Sequence, residues 1–335
     1  MNKRIVGYLA DWGFHAPLKE EQAQYLTHIN YAFGLIKDGE VSIAHLQKLE
    51  ALADLRKMFP EIRINLSVGG WGAEGFCDAV ATSQSREKLA VSAISVMRQM
   101  DLDGIDWDWE YPSSDAAGIK CSPLDPQNMT AFLVLMRQKL DGLSLCTGKR
   151  YEQSIAVGAD RVNDYIWPEA LPVLDTVNLM TYDMSMGDRA GHVTNLMPCA
   201  GAAYSASQSA EDFEKAGVPR EKILIGAAFY LHAYEGVDEK APLGSRMEKR
   251  GRNIPHDNLG IEWTEKWDEQ ALAAYYVKGN VLMTGDDRRS LIEKRRYIDQ
   301  QGLGGVIIWE LNHDKKNLLL PCLGKGAGAD GRTVD

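Results

Sequence analysis

Short apolar runs alternate with amphipathic stretches along this chain, and the alternation repeats eight times. Arg4 to Ala10, His28 to Gly34, Arg63 to Val68, Ile105 to Tyr111, Ser154 to Ala159, Thr176 to Tyr182, Lys222 to Tyr230 and Gly305 to Glu310 each read as a strand. Runs such as Ile-Leu-Ile-Gly-Ala-Ala are apolar throughout, as strands covered on both faces should be. The stretches between them carry helical stripes. Leu46, Leu49, Leu52 and Ala53 share one face of His45 to Met58, and Leu89, Ala93, Val96 and Met100 one face of Arg86 to Met100. Leu18 to Tyr25 reads as a shorter helix. Asp125-Pro126 looks like a helix start, with a capping carboxylate and proline at the first helical position, and the stripe runs to Leu140. Ser207 to Ala216 and Arg289 to Gln300 are helices closed by Gly217 and Gly302.

Eight strand-helix units predict an α/β fold, a parallel sheet closed as a (β/α)8 TIM barrel. One gap breaks the rhythm. Residues 235–285 are polar and aromatic and lack a barrel helix, so they are expected to form a small α+β insertion after strand seven. Loops after strands lie at the C-terminal mouth of a barrel, where the insertion would wall a cleft. The barrel itself would be residues 1–234 and 286–323, with a glycine-rich, disordered tail over 324–335.

Composition narrows the choices. A hydrophobic content of 45% over 335 residues supports a full core, and a formal charge of -10 argues against nucleic acid or an anionic membrane as partner. No stretch approaches the ~18 apolar residues of a membrane helix. The five cysteines, Cys77, Cys121, Cys146, Cys199 and Cys322, are odd in number and form no CxxC pair. Reduced thiols fit a cytoplasmic protein, or a secreted one if a leader has been removed or a non-standard route is used. A monomer without cofactor or metal is expected.

The chemistry concentrates in Leu102 to Pro112, reading Leu-Asp-Gly-Ile-Asp-Trp-Asp-Trp-Glu-Tyr-Pro. In a strand, Asp106, Asp108 and Glu110 fall on one face and Ile105, Trp107, Trp109 and Tyr111 on the other. Three carboxylates that close cannot all ionise cheaply, so at least one pKa is pushed up and protons are shared. A carboxylic acid kept protonated near neutrality can protonate a poor oxygen leaving group. A merely solvated acidic face does not need large aromatics at every alternate position. A divalent-metal site is the other rival, but no histidine accompanies the three acids.

Asp103-Gly-Ile-Asp106-Trp-Asp108-Trp-Glu110 resembles the DxxDxDxE signature of the family 18 glycoside hydrolases, the chitinases and their relatives. Ser67-Val-Gly69-Gly70-Trp71 resembles that family's SxGG motif, although a tight turn would also need the glycines. Met180-Thr-Tyr182-Asp183 resembles its MxYD motif, Gly304 to Glu310 its last strand, and Asp286-Asp287 with Ser290 the acidic return from the insertion. Tyr8, Phe33 and Tyr230 match aromatics at the ends of strands one, two and seven. The resemblance covers about residues 4 to 314.

It implies a retaining mechanism in which the substrate's own 2-acetamido oxygen is the nucleophile. Glu110 would be the acid, then the base. Asp108 would orient the acetamido N–H, and Asp106 would share a proton with it, with Ser67 and Tyr8 as partners. Tyr182 would hold the carbonyl oxygen, while Asp183 and Met180 shape the pocket. Trp309 would stack under the sugar before the cut, and Trp71 would offer a face beyond it. The implied substrate is chitin or chito-oligosaccharide. The alternatives are an endo-β-N-acetylglucosaminidase acting on N-glycans and a non-catalytic chitin-binding lectin, against which the presence of Glu110 counts. His232, Tyr234, Gly285 and the Met184-to-Gly187 stretch depart from the family pattern and leave the acceptor side open.

Overall fold

The computed structural model describes residues 3–14, 17–184 and 187–324. Eight parallel strands form its centre: β1 (Arg4–Ala10), β2 (His28–Lys37), β3 (Arg63–Gly69), β4 (Gly104–Asp108), β5 (Glu152–Gly158), β6 (Thr176–Met180), β7 (Ile223–Ala228) and β8 (Gly305–Trp309). Each pairs with its sequence neighbours, and β8 pairs with β1, which closes the barrel.

Period-2 alternation divides the strands between two cores. Ile5, Ile29, Ile64, Ile105, Ile155, Val177, Ile225 and Ile308 point outward into the main core beneath the helices. The inward residues build a smaller cluster around Val6, Tyr8, Ala156, Met180 and Ile307, interleaved with the buried polar side chains Asn30, Asn65, Asp106 and Asn178. At the N-terminal face Glu152 ties three strands together. It accepts from Arg4 at 3.2 Å and His28 at 2.9 Å, with Arg63 3.4 Å away. Burial pushes its carboxyl up, but the hydrogen bond and charge of His28, with Arg4 and Arg63, outweigh it and hold the group at about 2.

Several local expectations are corrected. The helix expected over Leu18 to Tyr25 is one turn, Glu20–Ala23, and the next begins at Leu49 because the segment before it turns over Asp11. Strand β2 continues to Lys37 and pairs antiparallel with Glu40–Ser42. Asp125 is the first residue of its helix and not its cap. Its Oδ2 accepts from the backbone of Ser113 and Ser122, which ties down the loop after β4.

The insertion holds no α-helix. It begins at Tyr230, and its strands Tyr230–Glu235, Lys249–Pro255, Thr264–Asp268, Ala273–Lys278 and Val281–Gly285 form one antiparallel sheet with a single 3-10 turn at His256–Asn258. Its alternating small and aromatic residues, such as Ala273 to Lys278 with Tyr275 and Tyr276, suit a pleated surface with two packed faces. The chain leaves the barrel at Ala228 and returns at Asp286, where the Ala228 N–H donates to Asp286 Oδ2 at 2.8 Å. Lys294, fully buried on the helix Arg288–Gln301, pairs with the same Oδ2 at 2.7 Å. Asp287 caps that helix by accepting from the Ser290 N–H. Of the tail expected to be disordered, residues 325–335 lie outside the described part. No described helix is long and apolar enough to cross a membrane, and all five cysteines are unpaired.

Candidate active site

Strand register assembles the centre of the site. Ser67 on β3 stands opposite Asp106 on β4, and Asp106 opposite Ser154 on β5. All three side chains point into the barrel. Asp106 therefore receives Ser67 and Tyr8 on Oδ2, both at 2.8 Å, and Ser154 at 2.6 Å and Asn178 at 3.0 Å on Oδ1. Burial raises its carboxyl above the ordinary value, while these four donors pull it back down. Of the three acids it holds the most hydrogen-bond donors.

Asp108 is in the opposite condition. It is buried, its Oδ1 has no hydrogen-bond partner, and burial followed by the charges of Glu110 and Asp106 holds its carboxyl far above the usual range. Glu110 lies two residues past the end of β4 and lines the cleft. Burial, then the nearby Asp183 charge, raise it to about 7 against a hydrogen bond to Tyr111. Burial thus favours protons on Asp108 and Glu110, while Asp106 is the carboxyl anchored by hydrogen bonds.

Because β4 stops at Asp108, strict alternation stops with it. Trp107 and Trp109 are buried in the outer core as expected. Tyr111, assigned by alternation to that same outer face, instead lines the cleft, with the Arg161 guanidinium 4.8 Å from its ring centre. The turn Gly69-Gly70 closes over the strand end. Both glycines have positive φ, the Gly70 N–H donates to the Asp108 carbonyl at 2.8 Å, and a Cβ on Gly69 would stand 2.0 Å from that oxygen. The motif thus makes a tight turn, and its Ser67 donates to Asp106.

The remaining residues form the walls. Tyr182 sits over Gly226, where a Cβ would come within 2.7 Å of its ring. Burial and the charges of Asp108 and Glu110 keep its hydroxyl protonated, hence a donor. Asp183 accepts from the Tyr230 hydroxyl at 2.6 Å, and Met180 packs in the inner cluster. Trp309 lies nearly parallel to Phe33, ring centres 5.6 Å apart, with Tyr8 edge-on at 6.0 Å. Trp71 is 64% exposed at the opposite side and meets Tyr111 edge to face. The cleft so formed has a volume of about 1110 Å³. A pocket for one drug-sized ligand runs to roughly 300–1,000 Å³, so an extended ligand fits.

Of the twelve residues singled out from the sequence, nine line the cleft, and three are buried behind it: Asp106 is bonded to Tyr8, Ser67 to Asp106, and Tyr230 to Asp183. Sequence reasoning missed Trp12, 59% exposed and 6.4 Å from Trp309, although its place just after β1 marks it as a mouth residue. It also missed Arg161 and Arg250, which reach the cleft from a loop and from the insertion. His232 and Tyr234 line the cleft from the insertion sheet.

The sequence matches the family described as Glycosyl hydrolases family 18 over residues 4–314. The chain belongs to that family. Chitinase A1 of Niallia circulans is 30% identical over 303 residues, which cover 81% of this chain and 43% of that protein. The chain spans about half the length of several such curated relatives. Among solved structures, a glycoside hydrolase family 18 N-acetylglucosaminidase from Paenibacillus barengoltzii superposes with a TM-score of 0.91 at 37% identity, covering 96% of this chain and 99% of that one. Chitinase ChiW from Paenibacillus sp. str. FPU-7 gives 0.87 at 32% identity, covering 97% of this chain and 43% of that one.

Proposed function

We propose that this family 18 member hydrolyses β-1,4-linked N-acetylglucosamine, in chitin or chito-oligosaccharides, by a retaining, substrate-assisted route. The observation that carries the reading is Glu110, an acid held protonated to about pH 7 at the lip of an aromatic cleft. Glu110 protonates the glycosidic oxygen while the acetamido oxygen attacks the anomeric carbon. Asp108, protonated and buried, faces the acetamido group, and its proton passes toward Asp106 as positive charge grows on the ring. Tyr182 donates to the acetamido oxygen and keeps it in line. Trp309 supports the sugar's C–H face. Glu110, now a carboxylate, then draws a proton from water for the second step.

The nucleophile belongs to the substrate in this scheme, so glucosamine oligomers and cello-oligosaccharides of equal length should bind weakly and resist cleavage. An in-line intramolecular nucleophile corresponds to effective molarities of about 10⁵–10⁸ M. Proton NMR in the first minutes should show the β anomer. Rapid cleavage of fully deacetylated oligomers, or an initial α product, would overturn the scheme. A second reading concerns product size, because the 37%-identical structural relative is an N-acetylglucosaminidase. Release of single sugars from the chain end is separated from internal cutting by following the products of a labelled oligomer.

A further inference from the structure

Among the described residues, one cluster of metal-ligating side chains stands outside the cleft. One nitrogen of His192, the sulfur of Cys199 and one carboxylate oxygen of Asp268 all lie within 4.8 Å of one another. His192 and Cys199 belong to the loop after β6, and Asp268 ends the insertion strand Thr264–Asp268. We propose that His192 Nε2, Cys199 Sγ and Asp268 Oδ2 form a zinc-type divalent-cation site that clasps this loop to the insertion sheet.

The nitrogen-to-oxygen distance suits the ion, and the sulfur stands within 4.8 Å of both. His192 Nε2 and Asp268 Oδ2 are 3.2 Å apart. A tetrahedral zinc with bonds of about 2.0–2.1 Å to N and O sets those ligands roughly 3.3 Å apart. The donor mix also selects the metal. A thiolate and an imidazole favour zinc or a similar transition ion, whereas calcium and magnesium take oxygen cages.

The ligands are oriented in advance by their surroundings. Asp268 Oδ1 accepts from the backbone of Gln270 at 2.9 Å and of Ala271 at 3.0 Å, which leaves Oδ2 turned to His192. The Gly201 backbone N–H points at the Cys199 sulfur and would meet a metal-bound thiolate, against the burial and the Asp268 charge that raise the free thiol. Tyr275 packs edge-on against the His192 ring at 6.0 Å. His192 is buried, but the Asp268 side chain is 21% exposed and Cys199 half-buried, so an ion can enter and water can take the fourth position. Binding releases the thiol proton to solvent. Val193, the next residue, lines the cleft, so the clasp would steady its wall.

The test uses the full chain, stripped with chelator and dialysed against Zn²⁺ or Co²⁺. One ion per chain is expected, with cobalt giving thiolate-to-metal charge-transfer absorption in the near ultraviolet. Cys199→Ser should abolish that band and weaken binding about tenfold or more, and Asp268→Asn should weaken binding while keeping the band. Far-ultraviolet circular dichroism checks that both variants fold. In the unmodified chain, zinc should shield Cys199 from alkylation while the exposed Cys121 and Cys146 react unchanged. No ion retained, a charge-transfer band that survives Cys199→Ser, or alkylation of Cys199 indifferent to zinc would each overturn the proposal.

Discussion

At the scale of single residues, the site works by giving three neighbouring carboxyls different surroundings. Glu110 has burial and a nearby Asp183, and so keeps a proton to about pH 7. Glu110→Gln keeps the shape but has no transferable proton, so turnover should fall by about 10²–10⁴-fold or more while oligosaccharide affinity stays within a few-fold. A variant that retains most of its kcat would remove Glu110 from the acid's role. The sign of the pH dependence follows. The working form is protonated, so kcat/KM should hold below pH 7 and decline as pH rises through about 7. An alkaline limb near pH 4.5, the ordinary glutamate value, would contradict the burial seen here. Trp309→Ala should weaken binding by roughly 1–3 kcal/mol, measured by calorimetry in the Glu110→Gln background. Tyr8, Ser67, Asp106 and Asp108 were legible in the sequence because period 2 and short motifs fix them. Trp12, Arg161 and Arg250 were not, since the turns after β1 and β5 and the pairing of the insertion's strands set their direction. Asp268 is distant in sequence from His192 and Cys199, and only the insertion sheet brings it to them.

At the scale of elements, register does what no single residue could. A one-residue slip of β4 would turn Asp106 and Asp108 outward and Trp107 into the barrel. Gly69 at the end of β3 and Gly70 beyond it lock that register, the first by leaving room for the Asp108 carbonyl and the second by donating to it. The helix Arg288–Gln301 is fastened by one fully buried pair, Lys294 with Asp286, and the loss of either partner has a different cost. Asp286→Asn strands a buried ammonium and should lower stability by about 3–5 kcal/mol in urea unfolding. Lys294→Met should cost less, because Asp286 still accepts from the Ala228 N–H and the Ser290 hydroxyl. The barrel strands were legible because each is a short apolar run bounded by turn residues. The ends were less so, as at Tyr111, where alternation was carried past the last ladder bond. The insertion was read as α+β from a polar, aromatic stretch without a barrel helix. In the fold, antiparallel strands with two packed faces account for that mixture of polar and aromatic residues.

At the scale of the whole molecule, the acids that hold protons link function to stability. Glu110 and Asp164 are raised to about 7, and Asp287 and Asp314 to about 6, in each case chiefly by burial. Their ordinary values are 4.5 for Glu and 3.8 for Asp, so between roughly pH 4 and 7 these four groups bind more protons in the folded chain than in the unfolded one. This is offset in part by His313, which burial lowers from 6.5 to about 4, and by the lowered His232 and His256. Stability should therefore fall as pH rises through that window. Urea midpoints should be higher at pH 5 than at pH 7.5, and Glu110→Gln should flatten the slope. Below about pH 4 the trend reverses, because Glu152 and Asp268 are lowered to about 2 and lose their partners' support as they protonate. The insertion has a different consequence. It leaves and rejoins the barrel at Ala228 and Asp286, which touch through a hydrogen bond, so the chain enters and leaves the cleft wall at one point. Descent could exchange that wall wholesale, as one contiguous stretch of gene, while the acid and its proton partners stay in the barrel. Differences in chain-length preference among such enzymes would then be inherited as cassettes, separately from the chemistry.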